Sequence, residues 1–214
     1  MARTGQSCGS GPDARGSGGL DAKTKAYSLN AMETYYDLTD RRGLPENLIL
    51  LLDSFPREAW AEHPNFAGLV AFWLDRHAMF RKLCAMMGQE AEQAVDGTMS
   101  AQTHAQRLRH LGGALVQQLH GHHQIEDVHY FPILRAREDG LARGFDILDR
   151  DHHAMDGLLD RFGQSANGVL RGTVEPGHFR EVLTGFETLL LRHLTDEEDL
   201  IVPVILKHGP DGLQ

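Results

Sequence analysis

Two segments of this sequence carry nearly the same string of donor groups. Residues 122–132 read HHQIEDVHYFP and residues 193–203 read HLTDEEDLIVP. In each, a histidine is followed four residues later by a glutamate, and a proline comes six residues after that. Two more histidines sit in related strings, His77 in LDRHAM and His152 in LDRDHHAM. The echo suggests a two-helix unit used twice, the second copy one residue longer. Imidazole nitrogens and carboxylate oxygens together suit intermediate cations such as iron, manganese or zinc. A single His-x-x-x-Glu has a plainer reading, an exposed helical pair worth about 0.3 kcal/mol. A lone buried histidine is more often a satisfied core residue than a ligand.

For these groups to meet, helices must carry them. Positions on a helix turn by about 100° per residue. On that count Leu108, Leu111, Leu115, His122, Glu126 and Ile133 share one face, and His129 returns to it. Phe179, Val182, Phe186, His193, Glu197, Leu200 and Val204 share another. Phe66, Val70, Trp73, His77 and Cys84 form a third, and Leu141, Phe145, Leu148, His152, Asp156 and Leu159 a fourth. His123 falls about 100° from His122, toward the edge, and Glu198 about 140° from His193, pointing outward. The expected helices run over 65–87, 101–130, 140–162 and 176–207, with 88–100 polar and loose and GQSANGVLRGTVEPG a loop. No stretch alternates as a strand hairpin does. The class is all-α, an antiparallel helical bundle over 65–208. Before it, residues 1–20 read as a disordered Gly/Ser-rich tail. Residues 21–64 read as a helical extension. It has a helix from Asp21 to Arg42 stopped by RRGLP, a short helix in PENLILLLDSF opened by Pro45, and another turn in PREAWAEHPNF.

Four apolar stripes interrupted by four imidazoles and two carboxylates change the odds. Unpaired carboxylates in such a core would cost several kcal/mol each. They must satisfy one another in a metal-free polar network, or a cation must. Six convergent donors, His77, His122, Glu126, His152, His193 and Glu197, exceed the four of a structural zinc and fit two metals. Bridging glutamates would hold two ions close and leave positions for water, an oxo or hydroxo bridge, or dioxygen. Iron is the expected metal, because it makes such a pair redox-active. His123, His129, Tyr130 and Asp156 are candidates for an extra ligand or a supporting hydrogen bond.

The composition excludes several other classes. Of 214 residues, 41% are hydrophobic, so a sizeable core is available, and the net charge of −9 with no basic stripe argues against nucleic acid. No apolar run is long enough to span a membrane, and the start lacks a secretory hydrophobic segment. Cys8 and Cys84 do not suggest a disulfide, which points to a reducing cytoplasm. Of the 13 histidines, His104, His110 and His120 read as solvated helix positions. No residue stands out as a binding group for a larger organic substrate.

The order His…His-x-x-x-Glu…His…His-x-x-x-Glu with its flanking prolines resembles the hemerythrin-like, or HHE cation-binding, family over residues 65–207. The resemblance implies an up-down four-helix bundle with a non-haem diiron centre. In it Glu126 and Glu197 bridge the ions and His77, His122, His152 and His193 are terminal ligands. One departure stands out. Oxygen-carrying hemerythrins have a fifth histidine one turn from the third-helix ligand, where this chain has Leu148 and Asp156. That leaves a carboxylate, a water or an open position on one ion and tells against simple reversible oxygen carriage. The expected function is binding of, or reaction with, dioxygen, peroxide or nitric oxide. The alternative is iron or oxygen sensing without turnover.

Overall fold

The computed structural model describes residues 37–213. The tail expected over 1–20, and most of the helix expected from Asp21, lie outside the described residues. Among the described residues five α-helices form: α1 (Leu69–Val95), α2 (Ala101–Ile125), α3 (Phe131–Arg137), α4 (Ala142–Leu170) and α5 (Pro176–His208). No strand occurs among the described residues. No described helix is long and apolar enough to cross a membrane. α1 packs against α2 and α5, and α4 packs against the same two.

Two helices run further than expected. α1 continues into the segment read as loose, as far as Val95. Ala91 is fully buried there, and the buried Glu90 accepts a hydrogen bond from Arg107 of α2 at 3.0 Å. α4 continues to Leu170 because Ala166 and Val169 face the core. Each then stops at a glycine in the left-handed region, Gly97 and Gly172, both with φ 70°. Ser100 opens α2, its hydroxyl accepting from the Thr103 amide at 3.1 Å.

Ahead of α1, the expected short helix in PENLILLLDSF is instead two 3₁₀ turns, Glu46–Leu48 and Leu50–Asp53, with a third over Arg57–Glu62. Pro45, Pro56 and Pro64 punctuate the segment. A proline pushes the residue before it out of helical geometry, so no α-helix can run between them for long. Leu44, Leu48 and Trp60 still pack into the core beside Val70, Trp73 and Leu200.

The core is not continuous. One apolar cluster includes Phe80, Leu119, Met155, Phe186 and Leu194. The other includes Trp73, Phe131, Leu148 and Leu200. The chain passes from one cluster to the other through a polar position four times: Trp73–His77–Phe80 on α1, Leu119–His123–Phe131 from α2 into α3, Leu148–His152–Met155 on α4 and Leu194–Glu197–Leu200 on α5. The donors form a polar layer between two oily ones.

Candidate metal centre

Within that layer lie two groups of donors, His77, His122, Glu126 and Glu197 in one, and His123, His152 and His193 in the other. Each group's donor atoms lie within 4.8 Å of one another. All six residues singled out by the stripes are therefore brought together. Nε2 of His77 faces Nε2 of His122 at 3.0 Å, and Nε2 of His152 faces Nε2 of His193 at 3.2 Å. The two glutamates reach both groups. Glu126 places Oε1 3.0 Å from His122 Nε2 and Oε2 3.7 Å from His152 Nε2. Glu197 Oε2 lies 3.6 Å from His77 Nε2 and 3.4 Å from His193 Nε2.

The structure corrects five expectations. His123 is not at the edge: it is 4% exposed and stacked on His152 with ring centroids 4.0 Å apart. α2 touches α1 on one side and α4 on the other, so two inward directions lie roughly a right angle apart. His122 takes the α1 side and His123 the α4 side. A fifth imidazole is thus present, supplied by α2 and not by the turn next to His152, so the lack of a histidine at Leu148 or Asp156 does not by itself leave a position open.

Glu198 does not face water but is 6% exposed. α5 is covered on its outer side by the segment before α1, whose Arg57 donates to Glu198 Oε2 at 3.1 Å. His129 does not return to the stripe. Residues Glu126–Tyr130 form a π-turn, which inserts an extra residue and turns the following face by about 100°. Phe131 and Leu134 point inward in its place. Asp156 is exposed, in a groove with Asp127, His152 and His153, because Met155 takes the core-facing position on that turn of α4. Tyr130 lies against Trp73 at 4.9 Å. Near the start of α2, His104 is 1% exposed and not the solvated position expected; it shares its face with Leu108 one turn later and lies edge-on to Phe179 of α5.

Three carboxylates missed by stripe counting support the rings from behind. His77 Nδ1 meets Glu198 at 2.9 Å, His152 Nδ1 meets Asp127 at 2.6 Å and His193 Nδ1 meets Asp151 at 3.3 Å. With the Nδ1 proton donated outward, each Nε2 lone pair is turned to the centre. Asp151 is held by Arg41, which also bridges to Asp196 at 2.8 Å. A signal for these acids was present: each stands next in sequence to a donor of the layer. Trp73 Nε1 donates to Glu197 Oε1 at 2.8 Å and fixes that carboxylate.

Burial sets the charge states. It holds the His122 imidazole down at about 3 and pushes His123 well below its ordinary range, with the surrounding rings adding to the effect. Burial also lowers His193, opposed by Asp151. Burial and the charge of Glu197 push Glu126 well above the usual carboxylate range. These three rings are neutral near pH 7, as metal ligands must be. Unfolded, each would take up a proton below about pH 6.5, so acid favours the unfolded chain. Glu126 opposes this, since folded it keeps a proton that the unfolded chain loses above about pH 4.5. Between about pH 6.5 and 4.5 the metal-free chain therefore takes up protons in this layer when it unfolds, three imidazoles acting against one carboxylate. Its melting midpoint, followed by scanning fluorimetry after chelation, is expected to fall through that window. A midpoint that stays level or rises on acidification would contradict the charge states.

The family model of the hemerythrin HHE cation-binding domain matches residues 68–205. No curated protein and no solved structure matches the chain.

Proposed function

The chain belongs to the hemerythrin HHE cation-binding domain family, and from that premise we propose that it holds two cations, iron by preference, to bind or react with a small oxidant such as dioxygen, peroxide or nitric oxide. We read the four long helices as an up-down bundle over 65–208, with the residues before it as a cover. One observation carries the metal reading. Both oxygens of Glu126, Oε2 of Glu197 and both ring nitrogens of His123 are buried without a hydrogen-bond partner. Each such orphan costs about 1–3 kcal/mol. Two cations in the layer would answer the three carboxylate oxygens and one of the two His123 nitrogens at once.

The spacing of the rings supports this. Two imidazoles that share one cation would have to bring their lone pairs to within a few ångströms of each other. The facing pairs stand at 3.0 and 3.2 Å. In this reading His77 and His122 would hold one ion and His123, His152 and His193 the other, with Glu126 and Glu197 placed within reach of both groups. When bound, a pair of iron ions supplies the electrons that reduction of a small oxidant consumes. The chain's own residues do the rest. Asp127, Asp151 and Glu198 fix the tautomers, Trp73 holds Glu197 in place, and the two apolar clusters keep water from either side of the layer. The cavity beside His122 gives access to the two-imidazole side.

The test is anaerobic reconstitution with ferrous iron, elemental analysis, then mixing with oxygen. About two irons per chain are expected, with an optical change on oxygenation that chelated protein lacks. A reproducible content near zero or one, or no optical response, would sink the proposal. Argon purging of the same sample separates a carrier, whose reduced spectrum returns, from a protein that consumes its oxidant. A second reading, sensing without turnover, draws on Arg41, which links the chain ahead of the helices to His193 through Asp151.

A further inference from the structure

The cavity beside His122 is far larger than a diatomic or a peroxide requires. Its volume is about 540 Å³, within the range of sites that take small organic molecules. Its walls include Phe72, Trp73 and Tyr130. Trp73 is pinned by its bond to Glu197, and Tyr130 lies tilted across it at 4.9 Å. Phe72 is 58% exposed at the mouth. Apolar surface of this kind, open to solvent above a polar centre, favours a flat apolar guest.

The polar groups define the guest further. Arg76 is the sole charged side chain among the described lining residues, in a chain of net charge −9. It has no carboxylate partner among the described residues. Its Nη1 donates to Gln118 Oε1 at 3.1 Å and lies 3.9 Å from Met79 Sδ, and its guanidinium sits 5.4 Å from the Phe72 ring centroid. A guanidinium has five N–H donors in a planar fork suited to a carboxylate. Gln118 and Phe72 hold this fork on the cavity wall with donors to spare. An inorganic anion would use the arginine and leave the aromatic walls idle, whereas a neutral arene would do the opposite.

We propose that this cavity binds a small planar organic anion, its acidic group on Arg76 and its ring among Phe72, Trp73 and Tyr130. The inference deepens the proposed function and rests on it for what lies beyond His122: the guest would sit against the oxidant-handling centre as its organic substrate or effector.

Isothermal titration of the full-length, iron-loaded chain tests this, with benzoate as the probe and benzyl alcohol and inorganic phosphate as controls. Benzoate should bind at least about tenfold tighter than either control, the worth of one charge-assisted contact. Arg76→Gln should weaken benzoate about tenfold, leave benzyl alcohol unchanged and retain its iron. Gly121→Leu tests the location separately. Gly121 lines the cavity, and a Cβ there meets nothing within 4 Å, so the helix tolerates the change while the side chain fills the space. That variant should lose both benzoate and benzyl alcohol. Benzoate binding no tighter than the controls, insensitive to Arg76→Gln, or undiminished in Gly121→Leu would overturn the inference. Iron content is read on the same samples. A chain without iron that binds benzoate in this way would uphold the cavity and remove the diiron reading. An iron-loaded chain indifferent to benzoate would do the reverse.

Discussion

Replacing His123 with alanine is expected to lower the metal content from about two ions per chain to about one. His123 is stacked on His152 and lies 5.3 Å from the His193 ring, so its loss takes a third of the imidazoles from one group and none from the other. The metal-free variant should melt close to the parent. Truncation leaves a cavity, but it also removes two buried nitrogens that have no hydrogen-bond partner, and the two effects oppose each other. The loaded variant should lose the part of its stability that comes from the missing ion, which binds only the folded chain. The neighbouring His153 is exposed, with Nδ1 on the Asp149 carbonyl at 2.8 Å, and His153→Ala should change neither quantity. Elemental analysis and melting curves with and without iron read both effects. Two ions retained in His123→Ala would return the ligand set to the six residues of the apolar stripes.

The second large effect is expected at Arg41, which touches no donor of the layer. Its guanidinium is buried between Asp151 and Asp196, and Asp196 also accepts the Leu44 amide at 3.1 Å. Arg41→Met keeps most of the volume and leaves two buried carboxylates facing each other. Breaking a buried ion pair in this way costs about 3–5 kcal/mol, which denaturant melts of the metal-free chain would show. Asp151 also orients His193, so metal affinity should fall about 10–100-fold as its support loosens. Adding Asp196→Asn to Arg41→Met should recover part of the stability, because one uncompensated charge is removed. No recovery, or an Arg41→Met chain as stable as the parent, would show that the buried network contributes little.

The sequence by itself determined the long helices, the family and the six residues whose side chains meet in the polar layer. Period-3.6 apolar stripes specify which face of each helix is buried, and a histidine or glutamate within a stripe must then be buried with it. That reasoning needs only the local geometry of a helix. It reached His77, His122, Glu126, His152, His193 and Glu197, and with their spacing the family.

What lies beside a stripe depends on what covers it, and only the tertiary structure decided that. His123 became central because α2 has a neighbour on each of two sides. Glu198 was buried because residues 37–62 lie over α5, a packing with no local signal. His129 was turned away by a π-turn whose extra residue breaks the count. Asp127, Asp151 and Glu198 came to stand behind three imidazoles through contacts 25, 42 and 121 residues apart in the chain. The cavity over His122 is likewise built from two helices and a turn, and its single arginine is unremarkable until Phe72, Trp73 and Tyr130 close around it. Helical periodicity fixes directions relative to one axis, and a site between helices is made from the distances among several.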